Sequence, residues 1–113
     1  MPELPEVETV VRYLKHQITG KTVSKLLHKN SYSKVFSSHS PDNIFQFVKG
    51  QKILQVWRRG KYIVFTLDFG YLFFHLRMTG RFILKLGDKD LYKHITAELM
   101  FSDQSSLYFK DYR

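Results

Sequence analysis

Near the N-terminus, apolar residues recur at Val7, Val10, Val11, Leu14 and Ile18, with Arg12, Lys15 and Gln17 between them. That spacing predicts an amphipathic helix from about Pro5 to Thr19. Pro5 suits the first helical turn, Glu6 and Glu8 lie where the helix dipole favours anions, and Gly20 supplies a stop. The run Thr22-Val23-Ser24-Lys25-Leu26-Leu27 reads as a strand, and the polar stretch from Lys29 to Lys34 as loop or sheet edge. A second short helix is expected from Pro41 to Val48, with Ser40 as its cap, Pro41 at its start, Asp42 near its positive end and Gly50 as its stop.

From Gln51 onward the pattern changes to alternation rich in β-branched and aromatic residues. Strands are predicted at 53–57, 62–67, 71–76, 81–86, 95–101 and 107–109. The connectors Arg59-Gly60, Asp68-Phe69-Gly70, Thr79-Gly80, Gly87-Asp88 and Asp103-Gln104-Ser105-Ser106 are short and carry turn residues, which favours antiparallel hairpins. The fold class that follows is α+β and mostly β: an antiparallel β-sandwich or flattened barrel with an N-terminal helix and a second short helix at its side. Nothing divides residues 1–113 into more than one domain.

Composition narrows the function. Among 113 residues, 18 Lys and Arg face 10 Asp and Glu, a formal charge of +8. An aromatic share of 16% within 43% hydrophobic content excludes a disordered basic tail. A folded domain with this positive excess meets polyanions, and nucleic acid leads among them, although ribosomal and membrane-surface modules share the composition. The absence of cysteine excludes a disulfide scaffold and a thiolate metal site, and the five histidines show no paired ligand spacing. No apolar run approaches the roughly 20 residues of a membrane span, and the N-terminus lacks the basic-then-apolar order of a signal peptide. The expectation is a protein that is cytoplasmic, not secreted, and without a membrane partner or small-molecule cofactor.

The segment richest in candidate chemistry is Met1-Pro2-Glu3-Leu4-Pro5-Glu6-Val7. Removal of Met1, expected before a residue as small as proline, leaves Pro2 with a free secondary amine. An α-amino group has a pKa of about 7.7–8.0 against about 10.4 for lysine, so much more of it is unprotonated at neutral pH. Such an amine attacking a sugar C1′ displaces the base and forms a cationic iminium, the electron sink for eliminating the 3′ and then the 5′ phosphate. Glu3 and Glu6 lie within a turn of it and offer a proton donor and a supporting carboxylate. On spacing alone, a plain helix start is the commoner reading of these residues.

The opening Met-Pro-Glu-Leu-Pro-Glu-Val-Glu-Thr-Val resembles that of the formamidopyrimidine-DNA glycosylase family, which includes the endonuclease VIII branch. Further likenesses follow in order: Arg58-Arg59-Gly60-Lys61-Tyr62, His75-Leu76-Arg77-Met78-Thr79-Gly80, Lys93-His94 and Lys110-Asp111-Tyr112-Arg113, the last with Tyr112 where proline is usual. The resemblance spans the chain. It implies base-excision DNA repair by a bifunctional DNA glycosylase and abasic-site lyase acting on 8-oxoguanine and formamidopyrimidines in double-stranded DNA.

In detail, the resemblance implies that Pro2 is the Schiff-base nucleophile, Glu3 the proton donor for base cleavage and Glu6 a supporting carboxylate. Lys61 would be the proton donor in β-elimination; read from its surroundings alone, it serves equally well as an exposed charge protecting a strand edge. Met78 would be the wedge that fills the gap left by a flipped nucleotide, although methionine in an alternating strand is also a common core filler. His94 and Arg113 would contact DNA, with an ordinary strand-end histidine and a frayed terminus as the plainer readings. Lys29 and Lys34 are weaker phosphate candidates. Leu4 favours the oxidised-purine branch, because the endonuclease VIII branch usually has glycine there; oxidised pyrimidines are the alternative substrates, and a non-catalytic nucleic-acid-binding β domain the alternative class.

The resemblance also places a helix-two-turns-helix element and a cysteine zinc finger beyond Arg113, outside this chain. The 113 residues are therefore expected to be the N-terminal catalytic domain of a longer enzyme, weak or inactive in isolation and requiring no cofactor themselves. An exposed inter-domain face is expected to permit self-association.

Overall fold

The structure, a computed structural model, describes residues 3–28, 41–76, 80–84 and 95–111. Two helices, α1 (Leu4–Ile18) and α2 (Pro41–Val48), accompany seven strands among these residues. The strands are β1 (Val23–His28), β2 (Ile53–Arg59), β3 (Tyr62–Leu67), β4 (Tyr71–His75), β5 (Gly80–Ile83), β6 (Ile95–Phe101) and β7 (Ser106–Asp111). They form two antiparallel sheets, one in the order β1-β6-β7-β5 and one in the order β2-β3-β4. Of the two expected architectures, the sandwich is the one formed. No helix among the described residues is long and apolar enough to cross a membrane.

Helix α1 buries Val7, Val11, Leu14 and Ile18, the stripe that its sequence period defines, and packs chiefly against β2. Gly20, at φ 90°, ends it in a conformation that β-carbon residues rarely adopt. Between the sheets lies one apolar core that includes Ile63, Phe65 and Leu67 of β3 and Leu99, Phe101, Leu107 and Phe109 of β6 and β7. A chain of aromatic contacts crosses it. Phe65 meets Phe74 at 4.8 Å between ring centroids, Phe74 meets Phe82 at 5.2 Å, and Phe82 meets Phe109 at 5.4 Å. These rings join the three-stranded sheet to the four-stranded one with offset or edge-to-face geometry.

The end of the sandwich at the β3–β4 turn is tied down by polar groups. Buried Gln51 donates from Nε2 to the Phe47 carbonyl at 2.7 Å, and its Oε1 accepts from the Phe69 N–H at 2.7 Å. Asp68 accepts from the Lys52 N–H at 2.7 Å. Gly70 has φ 98°, a backbone conformation that calls for glycine, and the Phe47 ring packs over it.

Strand alternation leaves an outer face on the three-stranded sheet. In register, its cross-strand rows are Arg59–Tyr62–His75, Trp57–Val64–Phe73 and Gln55–Thr66–Tyr71. Val64 is fully buried although it points away from the main core, because rings flank it on both neighbouring strands. Three successive buried residues on β3, Ile63 to Phe65, thus replace the strict alternation of a one-faced strand.

Candidate active site

Glu3 is the N-cap of α1, with extended backbone (φ −79°, ψ 165°), and its side chain makes no capping hydrogen bond. Short side chains make such bonds readily. Glu3 instead leaves its carboxylate exposed at the positive end of the helix, next in sequence to Pro2. Glu6, also exposed, lies in the first turn.

Lys61 occupies the turn between β2 and β3. The pair Arg59↔Tyr62 closes that turn around Gly60 and Lys61. Gly60 has φ 58° and Lys61 is not among the positive-φ residues, the arrangement of a two-residue hairpin with glycine first. Lys61 is half-buried there, not fully solvated.

Arg58 links this turn to the helix. Arg58 Nε donates to Glu8 Oε1 at 3.0 Å, and Arg58 Nη1 donates to the Gly60 carbonyl at 3.1 Å. The other Glu8 oxygen accepts from Arg12 Nε at 3.2 Å. The hydrogen bond from Arg58 is the main influence holding the Glu8 carboxyl below its ordinary pKa, with Arg12 adding to it and partial burial opposing both. Glu8 stands five residues beyond Glu3, about 7 Å along the helix axis. The hairpin that carries Lys61 is therefore fastened to α1 within two turns of its N-terminus.

The structure places Glu3 and Glu6 in the first turn of α1 and Lys61 in the hairpin turn, two elements joined by Glu8 and Arg58. Successive helical residues are about 100° apart, so Glu6 and Glu8 fall on opposite flanks of the buried stripe. Glu8 is committed to arginine, and Glu6 is on the other side. Pro2, Met78, His94 and Arg113 lie outside the described residues, as do Lys29 and Lys34. Sequence reasoning did not single out the Glu8–Arg58 pair. The Glu8–Arg12 spacing of four residues is that of a helical ion pair, but no local signal reports a partner 50 positions away.

Among the described residues no three of His, Asp and Glu converge, and the chain has no cysteine. The donor set of these residues does not fit a zinc ion.

The family described as formamidopyrimidine-DNA glycosylase N-terminal domain matches residues 1–113, from the first residue to the last. The chain belongs to the formamidopyrimidine-DNA glycosylase family. It is 38% identical over 114 residues to the formamidopyrimidine-DNA glycosylase of Bacillus cereus and 40% identical over 113 residues to that of an Exiguobacterium species. Both alignments cover 100% of this chain, but it spans only 41% and 40% of those two relatives.

Solved structures of family members agree in fold. One, MutM in complex with DNA containing carbocyclic 8-oxo-G, superposes with a TM-score of 0.87 at 33% identity, covering 99% of this chain and 41% of that one. Another, Lactococcus lactis Fpg in complex with DNA containing an abasic site, gives 0.86 at 31% identity with the same two coverages. The expected family and the expected β-sandwich are both established.

Proposed function

We propose that this chain is the N-terminal catalytic portion of a base-excision DNA glycosylase and abasic-site lyase for oxidised purines in double-stranded DNA. The observation that carries the proposal is the family match from residue 1 to residue 113, which includes the Pro2-Glu3 start and the Lys61 hairpin. The relatives' name denotes formamidopyrimidine excision, and solved family members hold 8-oxo-G and abasic-site DNA. These names favour oxidised purines over the pyrimidine alternative and an enzyme over a passive binding domain.

In the proposed reaction, the Pro2 nitrogen bonds to C1′ as the glycosidic bond breaks, and Glu3 gives its proton to the departing base. The proton on the nitrogen then passes to the ring oxygen as the C1′–O4′ bond breaks, and the iminium forms. Loss of a proton from C2′ then sends electrons toward the iminium and expels the 3′ phosphate; repetition of this logic expels the 5′ phosphate. Lys61 delivers the proton required in the elimination, and Glu6 supports the nucleophile. Met78 fills the space vacated by the flipped nucleotide, while His94 and Arg113 grip DNA. The Glu8–Arg58 contact keeps the Lys61 hairpin at the nucleophile's end of α1.

The test is a chimera in which this chain is continued by the remaining residues of the Bacillus cereus relative. Base release is measured on an 8-oxoguanine duplex, and strand cleavage on a preformed abasic duplex. Glu3→Gln should slow base release by about 100-fold or more while sparing strand cleavage, whereas Lys61→Ala should slow cleavage. Equal effects of Glu3→Gln on both steps, or none on either, would refute the assigned roles.

A further inference from the structure

We propose that the outer face of the β2-β3-β4 sheet is a second nucleic-acid surface, one that takes single-stranded rather than duplex DNA or RNA by stacking bases on exposed rings. This goes beyond the repair chemistry and uses none of its residues. Of the outward positions on this face, Trp57, Tyr62, Tyr71, Phe73 and His75 carry rings, Arg59 carries a guanidinium, and none carries a carboxylate. Tyr62, Tyr71 and Phe73 are 49%, 54% and 51% exposed. A sheet face turned to solvent is ordinarily polar, and contiguous apolar patches on soluble domains mark interaction sites.

The rings hold one another in place. Trp57 and Tyr71 meet edge to face at 6.4 Å and 81°, and Tyr62 and Phe73 at 6.4 Å and 89°. Trp57 Nε1 donates to Thr66 Oγ1 at 2.8 Å across the strand pair, which fixes the indole on the sheet. Side chains ordered in this way lose little freedom when a ligand settles on them.

Charge selects the occupant. Nucleic acid complements a face with a guanidinium and no carboxylate, on a chain of +8, because phosphates pair with cations while bases stack on rings. A duplex hides its base faces inside the stack, which leaves single strands. A second copy fits poorly, since pairing this face with itself brings two +8 chains together with no acid on the face to offset them. Arg59 adjoins the β2–β3 turn, so a strand lying on the rings runs toward the Lys61 end of the domain.

Trp57 is the only tryptophan of the chain and lies on the proposed surface, so its fluorescence reports occupancy directly. The 113-residue chain is titrated with an oligothymidylate of about 12 nucleotides, read by Trp57 quenching and by anisotropy of the labelled oligonucleotide. The expected result is saturable quenching that weakens with salt, with affinity reduced about tenfold or more in Tyr71→Ser and Phe73→Ser and less in Arg59→Gln. The circular dichroism of each variant establishes that it is folded, and Tyr71→Ser, at a half-exposed position, serves if Phe73→Ser is not. Unchanged binding by the folded variants, or no binding by the parent, would overturn the proposal. So would a concentration-dependent Trp57 shift with a dimer mass in the absence of oligonucleotide, which would identify a second copy as the occupant. Abasic-duplex cleavage by the chimera carrying Tyr71→Ser should match the parent chimera, so failure here is distinguishable from failure of the repair function.

Discussion

Arg58 and Glu8 meet at 3.0 Å across 50 residues of sequence, and the same guanidinium holds the Gly60 carbonyl at 3.1 Å. One side chain thereby joins the helix that begins beside Pro2 to the turn that presents Lys61. The contact adds a polar tie between helix and turn to the apolar packing of α1 on β2.

Replacing Arg58 by Met should therefore slow strand cleavage at an abasic duplex by about tenfold in the chimera, since small misplacements of a catalytic group are costly. Schiff-base trapping, which needs no proton from Lys61, should change much less. Glu8→Gln should resemble Arg58→Met, and the double variant should be little worse than either, because both remove the same contact. Arg58→Lys keeps the charge but cannot span both partners, so it should restore only part of the rate. Cleavage by Arg58→Met at the parental rate would show that the hairpin is positioned by other means.

Acid should weaken the fold through two carboxylates that the folded state holds ionised. Asp103 accepts hydrogen bonds from the Ser105 side chain and backbone and pairs with Lys21 at 3.1 Å, which lowers its pKa to about 2 from 3.8. The Glu8 carboxyl is lowered from 4.5, chiefly by Arg58. For carboxyls depressed in the folded state, the stabilisation is complete above the unfolded values and disappears as pH falls through the folded ones. Thermal midpoints should be level above about pH 5 and decline from there toward pH 2. Asp103→Asn and Glu8→Gln should each flatten that decline, and variants that keep its full slope would remove these two groups from the explanation.

The core makes a separate prediction. Phe65 is fully buried, with Phe74 and Phe82 against it at 4.8 and 6.1 Å. Phe65→Ala should cost about 3–5 kcal/mol, much of the stability of an ordinary domain, and chemical denaturation measures it. A loss below about 1 kcal/mol would mean that the sheets close over the cavity.

Several elements were legible in the sequence because local and long-range preferences coincide. Helix α2 has the expected bounds Pro41–Val48, since Pro41 fixes its start, and β3 and β6 likewise occupy 62–67 and 95–101. By contrast, β7 extends over 106–111 although only 107–109 is strongly apolar. It lies between β5 and β6, and backbone pairing on both sides draws polar Ser106 and Lys110 into the strand. Strand β5 begins one residue before the expected start, at Gly80, and ends at Ile83.

Within the site, Glu3 and Lys61 were legible as parts of motifs. The contact that relates their two elements was not, because Glu8 and Arg58 become neighbours only through the packing of α1 on β2. The outer ring face was hidden for a similar reason. Alternation puts Tyr71 and Phe73 on one side of β4, but only the two-sheet packing shows that this side faces away from the core.

The proposed chemistry turns on a covalent bond between the Pro2 nitrogen and the sugar. Borohydride trapping on abasic-site DNA tests it most directly, with the chimera compared as parent and as Pro2→Gly, and with intact mass establishing that Met1 has been removed. The expected result is a stable protein–DNA adduct at Pro2 in the parent and a greatly reduced yield in Pro2→Gly. An adduct formed equally well without Pro2, or none from a parent chimera lacking Met1, would contradict it.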